Sequence, residues 1–411
     1  MAVRATKADV RLGKLGSWAE RDTVVVSPNR RRYGHRSLLQ GSASSALWTE
    51  WVYVDGVRSE DCFFRKVTCP ILFSPDSSRV AYAIRPRRRS GFTMVVDGVA
   101  HDHDGLVTDY AFGKDGRRLA YGVGLREPAI VVDDTRIPVD GDPFGLLLSP
   151  DDSSLAYHLR RRRHFVVVKD GAEWGPYDGV WHMLYSPVGN RLAALVVPKG
   201  KLGWCVVVDG ELLPGGRDVK DIQYSASGAS LAYAARRGGK WSVVVNGTPG
   251  PQYADVNWLQ FVPDTETVAY AATERKGLFH RSTALVVDDG IVSQHKDVSS
   301  FHFFPDGRRY CLSCDTGCFI GAPGEPLARL PVSVTGRPVF APDGGHFAHT
   351  RHTCPGHALV VDGETVVSLD YEPVPSGSHL AFVGSDTLEL CTMHFNSDAV
   401  FRTTIVLEEG N

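Results

Sequence analysis

One short phrase returns ten times along this chain. It runs as an apolar pair, Ser-Pro-Asp-Gly or a near variant, a stretch ending in Ala-Tyr, and then Val-Val-Val-Asp-Gly. The clearest copy is Phe73-Ser74-Pro75-Asp76, then Val80-Ala81-Tyr82, then Met94-Val95-Val96-Asp97-Gly98. With the residue equivalent to Ser74 as anchor, the copies fall at Ser27, Ser74, Gly113, Ser149, Ser186, Ser225, Val262, Phe304, Ala341 and Val374. A period near 40 residues built from strands and turns is the mark of propeller blades.

The fourth copy shows the logic. Gly145-Leu146-Leu147-Leu148 is a short apolar run of the kind expected in a buried strand, and Pro150-Asp151-Asp152 supplies a turn. Leu155-Ala156-Tyr157-His158 reads as the second strand, Arg160 to His164 as a hairpin tip, and Phe165-Val166-Val167-Val168 as a β-branched third strand. Asp170-Gly171 marks a tight hairpin turn, from which the chain passes through Trp174 to Asp178 toward the next copy. Each repeat therefore implies four antiparallel strands, A to D. Val95-Val96, Val131-Val132, Val167-Val168 and Val207-Val208 are expected on equivalent C strands, each followed by its Asp-Gly turn. The alanine before the Tyr of strand B fits a place where adjacent sheets pack closely.

A chain of 411 residues would ordinarily suggest two or three domains. Repeats that pack only on their neighbours remove that expectation. The reading is an all-β propeller of four-stranded blades spanning 22–411, preceded by an N-terminal segment at 1–21. One ring of ten blades is preferred over two five-bladed rings, because no Pro/Ser-rich or charged linker divides the series. The first and tenth copies are degenerate, as terminal repeats usually are. In the tenth, Leu380-Ala381-Phe382 remains as strand B, and 400–407 is the candidate outer strand.

The pattern Phe-Ser-Pro-Asp, Leu-Ala-Tyr, Val-Val-Val-Asp-Gly and Gly175-Pro176-Tyr177-Asp178 resembles the WD40-like propeller repeat of TolB-type and tricorn-type bacterial proteins, over about residues 22 to 395. The resemblance implies a propeller acting as a recognition platform. Enzymes of that family carry a separate catalytic domain, and ten repeats leave no room for one here. Most members are exported proteins.

With 45 basic and 47 acidic residues, the formal charge of -2 predicts no overall preference for nucleic acid or acidic membranes. No stretch approaches the roughly 18 apolar residues that span a bilayer, and the first residues lack the apolar core of a secretory signal. The expected location is therefore cytoplasmic, unless an export signal has been removed. Eight cysteines in so long a chain do not make a disulfide scaffold.

Charge distribution is more informative. In a four-stranded blade the B–C tips and D–A connections share one face. The B–C tips of the second to seventh repeats are basic: Arg85, Arg87, Arg88 and Arg89; Arg126; Arg160, Arg161, Arg162 and Arg163; Lys199 and Lys201; Arg236, Arg237 and Lys240; Arg275, Lys276 and Arg281. Arg87, Arg88, Arg161, Arg162, Arg163, Arg236 and Arg237 are the candidate rim for an anionic ligand, nucleic acid or acidic protein. The bland alternative is solvated hairpin charge that blocks edge pairing. The D–A connections are acidic (Asp102, Asp104, Asp140, Asp142, Asp178, Asp218, Asp255) and would partly cancel the field.

Sulfur and imidazole form a second constellation. Cys311, Cys314 and Cys318 straddle the B–C hairpin of the eighth repeat, and His349, His352, Cys354 and His357 that of the ninth. Cys314, Cys318, Cys354 and either His352 or His357 are candidate ligands for a tetrahedral Zn2+, since thiolate and imidazole suit zinc. The alternative is that these are small core residues. No other cofactor is expected. His101-Asp102-His103-Asp104 is a weaker chelator candidate, and the chain has no nucleophile elbow, phosphate loop or His-Glu-x-x-His motif. The leading function is non-enzymatic binding of a protein, peptide or anionic ligand on the B–C/D–A face, with no membrane role. The alternative is a hydrolase- or lyase-type enzyme at the acidic channel mouth.

Overall fold

The computed structural model describes residues 4–15, 19–39, 49–63, 70–86, 91–276, 280–331, 338–353, 356–369, 372–374, 379–394 and 399–408. These residues are all-β and contain no helix. They form nine antiparallel sheets: six of four strands, two of five and one of seven. Strands follow chain order across each four-stranded sheet, as in Leu106–Phe112, Leu119–Gly124, Ala129–Val132 and Thr135–Pro138, which is the meander of a propeller blade. In the seven-stranded sheet a single long strand, Ala172–Tyr185, closes the fourth repeat and opens the fifth.

Burial grades across a blade. Strand B of the second repeat, Val80–Ile84, is wholly buried, whereas the D strand Thr135–Pro138 of the third is exposed along its length. The alanine before each Tyr lies at the sheet-to-sheet contact: Ala81, Ala120, Ala156, Ala232 and Ala269 are all 0 % exposed. The C strands are Phe92–Val96, Ala129–Val132, His164–Lys169 and Trp204–Val208, so the valine pairs occupy the equivalent positions expected of them, but the third repeat turns on Asp133-Asp134, at φ +45° and +68°, where Asp-Gly was expected.

The repeated phrase is legible as hydrogen bonding. The serine is buried so that its hydroxyl can bridge the A–B turn: Ser74 Oγ donates to Asp76 at 2.5 Å and accepts the Arg79 amide at 2.9 Å. Ser149 repeats this with Asp151 and the Ser154 amide. These hydroxyls, helped by Ser78 and Ser153, hold both carboxyls down at about 2. The Asp of Asp-Gly sits at φ +52° and its Gly98 at +84°, the left-handed pair that a two-residue hairpin with the native strand twist requires.

That Asp also clamps strand B. Asp97 Oδ1 accepts the Val80 amide at 2.8 Å, and Oδ2 takes Arg79 Nε at 2.8 Å. Arg79 then donates onward to the Arg117 carbonyl of the next sheet, as Arg32 does to Ser78, Arg118 to Asp152, Arg191 to Ala229 and Arg309 to Gly344. The sixth repeat substitutes Asn246, whose Oδ1 still accepts the Leu231 amide at 2.9 Å. Asp97→Ala is therefore expected to cost about 1–2 kcal/mol by orphaning the Val80 amide, and Asp97→Asn less than half of that. Urea melts of the two variants check this, and equal losses would refute the amide clamp.

Neighbouring sheets meet through shared apolar clusters. Ala193, Val206 and Val208 of the fifth repeat pack with Tyr224, Leu231 and Tyr233 of the sixth. Leu359 and Val361 of the ninth pack with Leu388, Leu390 and Ile405 of the tenth. Val24, Val26 and Tyr33 of the first pack with Cys391, Met393 and Val400 of the tenth. Arg30 Nε lies 2.9 Å from Glu389 across that last contact.

The tenth repeat differs in detail from its sequence reading. Leu380–Phe382 is only a short strand against Thr387–His394. Ala399–Glu408 pairs on one side with Thr387–His394 and on the other with Arg4–Lys14. The outer edge is thus supplied by the N-terminal segment, not by 400–407.

Candidate functional site

The tips between strands B and C carry the predicted cations, and the chain approaches each tip through the preceding D–A connection. Acid and base therefore meet. Arg160 Nη2 lies 2.8 Å from Asp142 Oδ2. Arg161 Nη2 is 2.6 Å from Asp140 Oδ1 and 2.6 Å from Glu173 Oε1, a fork between two carboxylates. Arg236 Nη1 is 3.5 Å from Asp218, and Arg237 Nε donates to the Gly215 carbonyl at 2.5 Å. Arg162, Arg163 and Lys199 are exposed, with no hydrogen bond or ion pair to any described residue. Arg87 and Arg88 lie outside the described residues.

These free cations line the walls of a groove of about 970 Å³, together with Arg160, Arg161, His164, Asp140 and Asp142. The acids neutralise two of its arginines and leave a cationic residue of three charges. A second hollow, of about 430 Å³ and lined by Arg236, Lys240, Tyr253 and Arg275, adjoins a third of about 360 Å³ that shares Arg236, Ala254 and Arg275. There Lys220 Nζ sits 4.4 Å over the Trp241 ring, 2.8 Å from Asn257 Oδ1 and 3.3 Å from Asp255. Burial opposes ionisation of Asp255, but the bonds from Asn257 and Lys220 outweigh it and hold the carboxyl below its usual range.

The A strands of adjacent sheets touch one another, Leu106–Phe112 against Asp142–Leu148 and Asp218–Tyr224 against Asp255–Phe261. Most carry a bulge four or five residues before the anchor, at Thr108, Gly145, Trp181, Asp221 and Trp258. Bulges re-aim side chains. Asp221 and Trp258 adopt φ of +56° and +59°, strained for residues with a Cβ. Trp181 is 72 % exposed and Trp258 44 %. A cavity of about 530 Å³ opens beside Trp181, bounded by Phe73, Asp109, Tyr110, His158 and Met183. Burial raises the Asp109 and Asp221 carboxyls. Asp109 spends its oxygens on the Tyr110 and Leu146 amides, and the lining has no Ser, Cys or Lys nucleophile among the described residues. The recurrence of Trp181 and Trp258 at blade-related positions in the sequence reads as packing between sheets, which their exposure contradicts, and Thr108, Gly145 and Asp221 carry no sequence signal because a bulge has no fixed residue type.

The cysteine–histidine group divides. Ser313 pairs with Cys318 and Cys314 with Gly317 across the eighth B–C hairpin. Alternation along a strand therefore puts the two thiols on opposite faces. Cys318 is buried, 3.0 Å from Ser313 Oγ, among Phe304, Cys311 and Phe347. Cys314 instead joins His295 and Asp315, with ligand atoms all within 4.8 Å of one another. His352 and His357 face each other with ring centroids 4.9 Å apart, and Cys354 lies outside the described residues. His295 was missed in the sequence, although it stands nine residues before its anchor, as Asp140 does, on the connection that approaches the eighth B–C tip. Of the weaker chelator run, Asp102 accepts from Thr93 Oγ1 at 2.6 Å and His103 Nε2 is 3.2 Å from Tyr121 Oη.

No family model matches the chain, and no curated protein matches it. Solved structures that are similar include a eukaryotic initiation factor, 14 % identical with a TM-score of 0.45, over 74 % of this chain and 89 % of that one. The Dos1 propeller, 8 % identical at a TM-score of 0.39, is matched over 98 % of this chain and 95 % of its own. TolB from Acinetobacter baumannii is 16 % identical at 0.29, over 62 % and 77 %. Likenesses at this level carry no inference about function, which has to come from the residues of this chain.

Proposed function

We propose that this chain is a single ring of ten blades serving as a non-enzymatic platform that binds an acidic protein or peptide segment on its B–C/D–A face. The observation that carries the binding reading is the groove of about 970 Å³ whose Arg162, Arg163 and Lys199 have no anionic partner among the described residues. Uncompensated cations in a concave surface focus an attractive field for anions. The ring is supported by the circuit of apolar clusters. Two five-bladed rings would need the fifth repeat against the first, whereas the fifth packs on the sixth and the tenth on the first. The enzyme alternative has less behind it, because Asp140, Asp142, Asp218 and Asp255 are tied to rim cations or Lys220. The setting that goes with this reading is the cytoplasm, where the free thiols of the described cysteines stay reduced.

The test uses a fluorescent ten-residue polyglutamate peptide and the triple variant Arg162→Ser, Arg163→Ser, Lys199→Ser. Anisotropy should show a loss of about tenfold or more in affinity on substitution, and a steep loss for the wild type between about 50 and 200 mM salt. The melting temperature should barely move, since exposed charges contribute about 0–1 kcal/mol. Binding indifferent to both salt and substitution would leave the arginines as a solvated face. Tighter binding of single-stranded DNA than of the peptide would reassign the ligand.

A further inference from the structure

We infer that His295, Cys314 and Asp315 form a binding site for one zinc ion, on the B–C/D–A face between the seventh and eighth repeats. The three donors come from two neighbouring sheets: His295 ends the strand Gly290–His295, Cys314 ends Tyr310–Cys314, and Asp315 opens the tip that follows. One ligand atom from each lies within 4.8 Å of the other two. Zinc bonds of about 2.0–2.3 Å in a tetrahedron place ligand atoms roughly 3.5 Å apart, which a small rotation of exposed Asp315 supplies.

Position within the repeat adds a second argument. In the fourth repeat Asp140, nine residues before the anchor, pairs with Arg161, twelve after it, and Asp142, seven before, pairs with Arg160, eleven after. The sixth repeat pairs Asp218 with Arg236 in the latter way. In the eighth repeat His295 stands nine before the anchor and Asp315 eleven after it, with Cys314 one residue earlier. An imidazole stands where Asp140 does, a carboxylate where Arg160 does, and a thiol where Leu159 does, so the cations of the fourth repeat's crossing are gone. A thiolate beside an imidazole selects zinc over magnesium or calcium.

The surroundings fit such a role. The Lys296 and Asp297 amides donate to Asp315 Oδ1 at 3.2 and 3.3 Å, which orients the carboxylate and leaves Oδ2 for a metal. Thr316 Oγ1 is 3.2 Å from Cys314 Sγ, where a hydroxyl can donate to a thiolate. His295 Nε2 lies 3.1 Å from Ser293 Oγ, and in the tautomer that donates Nε2–H to that oxygen the lone pair of the ring is on Nδ1. Zinc binding releases the Cys314 thiol proton to solvent, and three protein ligands leave the fourth position for water or for a carboxylate of a bound acidic segment.

The full-length chain, stripped by chelator under reducing conditions, is titrated with Zn2+ against a chromophoric competitor and with Co2+ as spectroscopic probe. One equivalent per chain is expected, with a thiolate-to-cobalt band in the near ultraviolet. Cys314→Ser should abolish that band, and His295→Gln should weaken zinc binding about a hundredfold. Cys318→Ser and His352→Ala should change neither. Metal-free melts of all four variants, compared with the metal-free wild type, separate a lost ligand from a lost fold. Sub-stoichiometric zinc in the wild type overturns the site, as does an unchanged cobalt band in Cys314→Ser. A band lost in Cys318→Ser instead would move the thiolate to the other face of the hairpin and overturn it equally.

Discussion

Deleting residues 1–15 is expected to lower the melting temperature by about 10 °C or more, or to prevent soluble folding. The strand Arg4–Lys14 pairs with Ala399–Glu408 from Arg4 opposite Glu408 to Lys14 opposite Ala399. Thr403 Oγ1 donates to Asp9 at 2.6 Å, and the Tyr33 hydroxyl donates to the Lys14 carbonyl at 2.8 Å. Leu15 is buried in the cluster that joins the first and tenth repeats. Its loss uncovers that cluster and turns Ala399–Glu408 into a long open edge, a template for aggregation. A peptide of residues 1–16 added in trans should restore part of the stability by strand addition. An unchanged melting temperature would show that the first and last repeats hold together without this strand.

Acid should unfold the protein in two stages, and the first belongs to histidine. His35, 0 % exposed between the rings of Tyr33 and Tyr53, and His158, packed on Phe144 and Phe165, are both pushed down to about 4 by burial. An imidazole depressed in the folded state takes up its proton more readily when unfolded. Its stabilising contribution is therefore present above about pH 6.5 and is lost as pH falls toward 4. A depression of this size corresponds to about 3 kcal/mol for each ring at the bottom of that window. The carboxylates of Asp76 and Asp151, held at about 2, lose their contribution only below their ordinary value near 3.8, so they account for a later stage. His158→Phe and His35→Phe should flatten the loss between pH 6.5 and 4 in urea melts while leaving the later stage in place. Variants that track the wild type through the upper window would show that these rings are hydrated in solution.

The parts of the fold that were legible in sequence are those where one residue type has one job. Ser74 and Asp76 must bridge a turn, Asp97-Gly98 must turn left-handed, and Ala81 must leave room for the adjacent sheet. Each recurs because its geometry recurs. Pairings between distant parts of the chain carry no such mark: nothing in Arg4–Lys14 names Ala399–Glu408 as its partner, and the alternation of its residues suits any edge. The candidate site behaves the same way. Arginine tips were visible from composition, but which of them stay uncompensated depends on the connection that approaches each tip. Asp140 meets Arg161, while Arg162 and Arg163 pair with no described anion. Cys314 and Cys318 look like a chelating pair until the strand alternation separates them.

The unbroken strand from Ala172 to Tyr185 makes one stiff plate of the fourth and fifth repeats, whereas among the described residues no other strand is shared by two successive repeats. Local opening of stacked sheets starts at the seams between them, so this continuous stretch should exchange its amide protons last. A circular permutant cut near Asp178 would sever continuous hydrogen bonding, whereas a cut at the exposed Gly238-Gly239 tip would sever none. The architecture thus has a grain: it tolerates new ends at most of its corners, and the plate that bears the cationic groove is the one piece that has to be inherited whole.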